Sequence, residues 1–143
     1  LVPTGKTEPR TGLEGKFSIY HCVAVALIDG AAGAAQFTDA RVNDPRAVDL
    51  RHRVRISPDG SIRRDEAWVT LRLKDGRRLE TYVPHATGTE ENPMSDDAMR
   101  QKFLHLASPV LGENGAPRVV DLVNRLQSLR DGGELVRACV AQG

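Results

Sequence analysis

The sequence predicts a small α+β domain, in which an antiparallel sheet with a hairpin packs against helices and further helices follow at the C-terminus. Three observations lead to this prediction. A long apolar run fills residues 17–28, period-2 alternation flanks an Asp-Gly pair at residues 75–76, and patterns with a 3.6-residue period follow from residue 95. Strands and helices that are segregated along a chain indicate an antiparallel sheet rather than a parallel α/β fold.

The chain begins with a segment that is typical of a loop or linker. Residues 1–15 are rich in glycine, proline, threonine and charged side chains. The first five residues contain neither the basic nor the apolar stretch of a secretory signal. Because the chain starts with Leu1 and not with methionine, and its first dozen residues resemble the middle of a sequence, we expect a piece of a longer protein.

The first predicted helix covers residues 17–29 and ends at Gly30. Its apolar run is longer than a buried strand usually is, which favours a helix. The small residues at 31–42 indicate a second short helix or a close-packed turn. Asp44 and Pro45 then supply an N-cap and a first-turn proline, so a further helix is predicted to begin there.

The pattern changes to period 2 in the middle of the chain. Alternation at residues 53–57 predicts a first strand. The alternating runs on both sides of Asp75 and Gly76 predict a hairpin, because Asp-Gly is a strong two-residue turn signal. Three strands are therefore expected, with Trp68 on the opposite face of the sheet from Val69.

Amphipathic helices are predicted for the C-terminal part. Ser95 is the expected N-cap of the first, a second covers residues 116–129, and a short one covers residues 133–141. The apolar stripe of the second is too large for one small sheet to cover fully. We therefore expect a sizeable apolar surface to be exposed, to favour self-association and, in a longer protein, to dock on another domain. It contains Val119, Leu122, Val123, Leu126 and Leu129.

Composition and charge narrow the function classes. The 143 residues suit one domain, 40% of them are hydrophobic, and aromatic residues make up only 4%, so the core must be aliphatic. A formal net charge of +1 lacks the basic surplus of a nucleic-acid binder, and no apolar run is long enough to cross a membrane. We expect a cytoplasmic protein with no nucleic-acid or membrane partner, in which Cys22 and Cys139 are buried, reduced thiols.

The start of the first helix carries the best candidate site. Lys16, Ser18, Tyr20 and His21 all offer groups that donate or transfer protons, at the front of an otherwise apolar helix. Imidazole titrates near neutral pH, which suits His21 for general acid–base chemistry. The alternative is that His21 closes a core by bonding a backbone carbonyl group. The residues leave both interpretations open.

The other polar motifs are weaker. The sequence contains no metal-binding motif, phosphate loop or nucleophile elbow, so neither a metal nor a cofactor is predicted. His85 opens a glycine-containing loop and is a candidate ligand contact. His52, near which the helix after Asp44 is predicted to end, and His105 lie on helical patterns and are interpreted as structural or solvated. The acidic residues at 90–97 are interpreted as loop solvation and a helix N-terminus.

Several stretches together resemble one known family. They are TGLEGKFSIYHCVAVALIDG, QFTDARVNDPRAVDL, VTLRLKDG, the loop GTEENPMS and the helix MRQKFLHLASPVLG. Across nearly the whole chain they are similar to the MmgE/PrpD family, whose members dehydrate, decarboxylate or epimerise small polycarboxylates. The dehydratase that acts on 2-methylcitrate in propionate metabolism is one of these members. None of the stretches is specific alone, but their combination is.

The resemblance implies that this chain is part of a longer, homo-oligomeric enzyme. Members combine a large helical domain with a smaller α+β lid domain, and their active site lies in the cleft between the two. Residues 1–94 are then expected to form the lid, and residues 95–143 a helical segment that partly belongs to the absent N-terminal helical domain. Because most reacting groups belong to that absent domain, the isolated chain is expected to be inactive.

The resemblance also implies candidate roles for individual residues. A tyrosine of the family, at the start of the first lid helix, falls on His21, with Tyr20 one position earlier, and both are catalytic candidates. A basic side chain near this helix start is either a partner for a substrate carboxylate or only a solvated surface charge. The expected substrate contacts are Arg10, Lys16, Ser18 and His85. This chemistry needs no cofactor. The other hypothesis is a stand-alone, non-catalytic ligand-binding or regulatory α+β module.

Overall fold

The structure is a computed structural model that describes residues 5–141. Residues 1–4 and 142–143, which include the beginning of the predicted N-terminal loop, lie outside the described residues. Within residues 5–141, six α-helices and one two-stranded antiparallel sheet confirm the predicted α+β class. The chain divides into two compact units between Asp59 and Gly60. The expected boundary after residue 94 concerns the domains of a longer protein and stays a prediction.

The first unit is helical. Its helix α1 lies inside the segment predicted as a loop, because five residues are too few to show an apolar period. Thr11 caps α1, and its hydroxyl oxygen accepts a hydrogen bond from the backbone N of Glu14 at 3.2 Å. The prediction of a loop up to residue 15 is therefore wrong at α1. The elements are α1 (Gly12–Lys16), α2 (Ile19–Asp29), a 3-10 turn (Ala34–Phe37), α3 (Asp39–Val42) and α4 (Pro45–Arg53).

Capping residues explain where α2 and α4 begin and end. The hydroxyl oxygen of Ser18 accepts a hydrogen bond from the backbone N of His21 at 3.2 Å, so α2 begins two residues later than predicted. Gly30 ends α2 with a φ of 67°, a left-handed conformation that glycine adopts without strain. Asp44 caps α4 and Pro45 opens it, which confirms the predicted helix start.

The core of the first unit is built from small aliphatic side chains around α2 and α4. Ala24, Val25, Val42 and Ala47 are fully buried, and α2 packs directly against α4. Burying one side chain of the size of valine stabilises a fold by roughly 1.5–3 kcal/mol. The aliphatic core that the low aromatic content predicts is therefore present in this unit.

Two glycines let α1 lie directly against the 3-10 turn and α3. A Cβ atom on Gly12 would lie 1.9 Å from the carbonyl oxygen of Phe37, and one on Gly15 would lie 2.7 Å from Cγ2 of Val42. The backbone N of Gly12 also donates a hydrogen bond to Oδ1 of Asp39 at 2.6 Å. Any larger residue in place of Gly12 must therefore push α1 away from the turn.

The second unit contains the predicted hairpin. Strand β1 (Ala67–Arg72) pairs in antiparallel fashion with β2 (Arg78–Val83), and Gly76 in the turn has a φ of 87°. Trp68 lies opposite Tyr82 in this register. Their rings stack with centroids 4.5 Å apart, so the aromatic pair stabilises one face of the hairpin.

The predicted strand at residues 53–57 is wrong. Helix α4 continues to Arg53, and Val54 forms its C-cap by donating a backbone hydrogen bond to the carbonyl oxygen of Arg51. Residues 55–59 have no regular secondary structure. A run with only two apolar positions offers too little burial to fix a strand register, and here the helix ends within it. The described sheet therefore has two strands.

Two helices follow the hairpin in the second unit, α5 (Asp96–Asn124) and α6 (Gly133–Ala138), and α6 packs against α5. Ser95 caps α5, as predicted, by accepting a hydrogen bond from the backbone N of Ala98 at 3.1 Å. Gly112 interrupts α5 with non-helical angles, a φ of 76° and a ψ of 170°. This break separates the two amphipathic helices that the sequence predicts.

The apolar stripe at residues 119–129 is only partly exposed, and the helix predicted up to residue 129 ends at Asn124, where a 3-10 turn (Leu126–Ser128) follows. Val119 and Leu122 are 4% and 2% exposed, whereas Val123 and Leu126 are each 51% exposed. Leu129 is half-buried. The stripe is therefore covered only in part, as the sequence predicts. Self-association through this stripe stays a prediction.

The expectations about cysteines meet different outcomes. Both thiols are free, but only Cys22 is partly buried, and this burial raises its pKa. Cys139 is exposed at the end of α6, so the prediction of a buried thiol is wrong there.

Among the helices of residues 5–141, none has the length and apolar character that a membrane crossing requires.

The close approach of α1 to the 3-10 turn at Gly12 predicts that a larger residue there destabilises the fold. Gly12→Ala should lower the free energy of unfolding by about 3 kcal/mol, because the new methyl group overlaps the Phe37 carbonyl. Gly60→Ala is the matched control, since a Cβ atom there meets nothing within 4 Å, and it should change stability by less than about 0.5 kcal/mol. Urea unfolding followed by circular dichroism measures both values. Equal stability of the two variants would contradict the close approach.

Candidate functional site

His21 lies in the first turn of α2 and its side chain is fully buried. Its Nε2 atom is 2.8 Å from the backbone carbonyl oxygen of Gln36. Its ring contacts the ring of Phe37 edge-on, with centroids 5.7 Å apart. A Cβ atom on Gly15 would lie 3.2 Å from Cδ2 of the same ring. The first turn of α2 therefore takes part in the packing of the first unit through His21.

The two ring nitrogens of His21 have different environments. A carbonyl oxygen can only accept a hydrogen bond, so Nε2 must be the donor to Gln36 and must carry a hydrogen. Nδ1 is buried and has no hydrogen-bond partner among residues 5–141. Buried polar atoms without a partner are rare in proteins, and Nε of Arg51 is a second such atom in the first unit.

The carbonyl acceptor is held by a network of polar side chains. Oε1 of Gln36 accepts a hydrogen bond from the backbone N of Gly33 at 3.0 Å, and Nε2 of Gln36 donates to Oδ2 of Asp29 at 3.2 Å. Arg41 binds both carboxylate oxygens of Asp29, at 2.6 and 3.1 Å, and also pairs with Asp44. The turn that carries the acceptor is therefore tied to α2, α3 and the start of α4.

The other candidate side chains of the front turn differ in burial and in whether their polar groups already have partners. Ser18 is buried, and its oxygen is engaged as the cap of α2. Tyr20 is half-buried, and its hydroxyl makes no hydrogen bond to any part of the chain that the structure describes. Lys16 and Arg10 are exposed, and their cationic groups likewise pair with no carboxylate in the described residues. These residues are neighbours in sequence at the start of α2, but their side chains differ in burial.

His85 belongs to the second unit and is held at the base of the hairpin. Its Nδ1 atom lies 2.8 Å from Oδ2 of Asp65. Arg63 approaches the ring at 3.1 Å and donates to the carbonyl oxygen of Pro84 at 3.0 Å. The hydrogen bond with His85, followed by the Arg63 contact, lowers the pKa of Asp65. These contacts join the segment before β1 to the segment after β2.

One group of side chains in residues 5–141 has the donor types of a metal site. The donor atoms of Asp65, His85 and Glu91 all lie within 4.8 Å of one another. However, the cationic guanidinium of Arg63 already contacts the imidazole and pairs with Glu66 at 3.2 Å. A fixed positive charge beside the donors opposes binding of a metal cation. The three residues are better explained as contacts that hold the two ends of the hairpin together, which we call the hairpin clasp.

Several features of these sites have no local signal in the sequence. The acceptor for His21 is a backbone carbonyl 15 residues away, and Gly15 leaves the space that the ring occupies. His52, interpreted as structural or solvated, pairs with Glu8 at 2.9 Å, and the buried Arg51 lies 3.6 Å from the same carboxylate. Sequence spacing does not reveal such contacts, because they depend on how the helices pack.

The sequence matches the MmgE/PrpD C-terminal domain over residues 2–128. The chain therefore belongs to the MmgE/PrpD family, as the combination of its motifs predicts. This match assigns it to the C-terminal part of the family's proteins.

Three curated relatives show the same relationship. The chain is 26% identical to cis-aconitate decarboxylase of Mus musculus over 133 residues, which are 90% of this chain and 27% of the relative. It is 28% identical to cis-aconitate decarboxylase of Aspergillus terreus over 130 residues, which are 86% and 26% of the two sequences. For the Homo sapiens enzyme of the same name, the identity is 24% over 122 residues, or 82% and 25%. The chain spans about a quarter of the length of these relatives.

The contacts of Asp65 in the hairpin clasp predict that stability depends on pH. Because the folded state lowers the pKa of Asp65, its contribution to stability is complete above the ordinary aspartate pKa of about 3.9 and is lost as the pH falls through the lowered folded value. Asp65→Asn should therefore be less stable than the parent chain at pH 6, and the difference should vanish in acid. Urea unfolding followed by the fluorescence of Trp68, the single tryptophan, measures this locally.

Glu90→Gln is the matched control for this prediction. It also removes one negative charge, but Glu90 is exposed and makes no ion pair within residues 5–141. Its stability should follow that of the parent chain at every pH. A stability loss in Asp65→Asn that persists unchanged to pH 2.5 would show that charge is not what the clasp requires.

Proposed function

We propose that this chain is the lid part of a cofactor-independent lyase or isomerase that acts on a small polycarboxylate. The observation that carries the proposal is the match to the MmgE/PrpD C-terminal domain over most of the chain, together with relatives named as cis-aconitate decarboxylases. Decarboxylation of a tricarboxylate such as cis-aconitate is the first candidate reaction. Dehydration of 2-methylcitrate and epimerisation are the other candidate reactions.

The start of α2 has side chains that suit this chemistry. Decarboxylation, dehydration and epimerisation all move a proton at a carbon next to a carboxylate, which calls for a positioned acid or base. His21 and Tyr20 are proposed for this role. The exposed cations of Lys16 and Arg10 are proposed to bind substrate carboxylates, with Ser18 beside them.

Further groups are proposed from outside the start of α2. His85 is proposed as a further substrate contact from the second unit, where its ring is only partly covered. An N-terminal helical domain is proposed to supply most of the reacting groups, in a cytoplasmic homo-oligomer. Catalysis needs several groups in one fixed geometry, so the 143-residue chain alone should be inactive.

An assay of the full-length protein tests the proposal. Incubation with cis-aconitate should consume the substrate and release carbon dioxide, and incubation with 2-methylcitrate distinguishes a dehydratase. The 143-residue chain under the same conditions should show no turnover. A full-length protein that binds polycarboxylates but converts none of them would favour the alternative, a non-catalytic binding module.

Tyrosine hydroxyls offer a sharper test of the helix end. Tyr20→Phe should lower kcat roughly 10- to 100-fold, because a hydroxyl bonded to a charged substrate or transition state contributes about 1.5–3 kcal/mol. Tyr82→Phe removes the same group from the hairpin, where the ring stacks on Trp68, and should leave kcat unchanged. Melting temperatures of both variants should equal that of the parent protein. Equal kcat values would remove Tyr20 from the site.

A further inference from the structure

The backbone of Arg10 is held on both sides by side chains, whereas its own side chain is not held. The backbone N–H donates a hydrogen bond to Oε2 of Glu14 at 2.7 Å, and the carbonyl oxygen accepts one from Nδ2 of Asn43 at 2.8 Å. The preceding residue, Pro9, is fully buried. The guanidinium of Arg10 is exposed and has no partner in the part of the chain that the structure describes. The backbone is therefore anchored, and the charged end of the side chain is available for binding.

The two side chains that hold this backbone are themselves fixed. Oε1 of Glu14 accepts a hydrogen bond from Nζ of Lys6 at 2.6 Å. That bond, followed by the one from the Arg10 backbone, lowers the pKa of Glu14, so its carboxylate is charged at neutral pH and keeps both acceptors. Nδ2 of Asn43 also donates to the backbone carbonyl of Asp39 at 2.7 Å. Both clamps are therefore parts of the folded first unit.

The segment around Arg10 is fastened at further points. On the C-terminal side, the backbone N–H of Gly12 donates to Oδ1 of Asp39 at 2.6 Å. On the N-terminal side, the carboxylate of Glu8 lies 2.9 Å from Nε2 of His52 in α4. The backbone is therefore anchored before, at and after the arginine.

An anchored backbone matters when an arginine binds an anion. Binding immobilises a long side chain, and the loss of affinity is smaller when the backbone already directs that side chain. The guanidinium offers its N–H groups in a planar fork that matches a carboxylate, so its orientation decides whether both bonds form. For a surface charge that interacts only with water, the direction of the side chain has no such consequence.

We propose that Asn43 and Glu14 are positioning residues that hold Arg10 for one carboxylate of the substrate. The proposal rests on the proposed function, in which Arg10 binds a small polycarboxylate, and it adds the residues that orient this contact. Neither positioning residue needs to touch the substrate. No covalent bond forms or breaks in this step, so the positioning acts on affinity and not on the chemical step.

The test measures the Kd of propane-1,2,3-tricarboxylate for the full-length protein by calorimetry. This probe lacks the double bond of cis-aconitate, so it reports binding without turnover. Arg10→Ala should weaken binding about 10- to 100-fold, because it removes hydrogen bonds to a charged group. Asn43→Ala should weaken it about 2- to 10-fold, because the arginine must then be ordered on binding. Asn124→Ala is the matched control, since its amide is exposed and has no partner among residues 5–141, and its Kd should equal that of the parent protein.

The double variant separates positioning from a general structural role. When Arg10 is already alanine, Asn43→Ala should not weaken binding further, because the side chain that it positions is gone. An equal loss in both backgrounds would overturn the proposal. So would an Asn43→Ala variant that binds the tricarboxylate as tightly as the parent protein.

Variants of Glu14 test the other clamp and keep the proposal falsifiable if Asn43→Ala does not fold. Glu14→Gln retains an oxygen that accepts the Arg10 N–H and should bind like the parent protein, whereas Glu14→Ala should bind about 2- to 10-fold more weakly. Lys6→Ala removes the ion pair but leaves the bond to Arg10, and its Kd should not change. Equal Kd values for Glu14→Ala and Glu14→Gln would contradict the proposal.

Binding and turnover separate this proposal from the proposed function. If Arg10 and Asn43 are coupled in tricarboxylate binding but no polycarboxylate is converted, the proposed reaction fails and the positioning stands. If the protein is active and the two residues are not coupled, the function stands and the positioning fails. A parent protein that binds no tricarboxylate would overturn the positioning, whether or not it converts another substrate.

Discussion

The first unit depends on the close approach of α1 to the 3-10 turn at Ala34–Phe37. Gly12 permits this approach because any Cβ atom would overlap the Phe37 carbonyl, and Gly15 leaves room for the His21 ring and Val42. The same turn provides the carbonyl oxygen that the ring bonds. One packing constraint therefore closes the core and orients the imidazole. A shift of α1 would disturb both, which links the stability of this unit to the geometry of the candidate site.

Partly buried ion pairs hold the turn in place around this constraint. Arg41 bridges Asp29 and Asp44, and its side chain is only 13% exposed, so its bonds are less screened than those of a surface pair. Bidentate binding of a carboxylate by a guanidinium is also geometrically specific. The network fixes an acceptor that sequence alone gives no reason to notice. With this acceptor in place, the imidazole has one bonded nitrogen and one nitrogen that finds no partner in the part of the chain that the structure describes.

The two candidate histidines illustrate how environment assigns different roles to the same side chain. His21 is fully buried and bonds a neutral carbonyl group. His85 is partly exposed, and its ring lies between the carboxylate of Asp65 and the guanidinium of Arg63. The first environment fixes a tautomer, and the second builds a clasp at the base of a hairpin. Family membership is shown for the chain, whereas the functional roles of both histidines stay proposals.

The sequence by itself determined the fold class, the hairpin, the capped starts of α4 and α5 and the family, because these depend on short-range patterns and local caps. It also pointed to the front of α2 as the candidate site. Only the tertiary structure decided that His21 is buried and that its partner is Gln36, since these contacts join segments far apart in the chain. It likewise removed the strand at residues 53–57, where a continuing helix overrode a weak alternation.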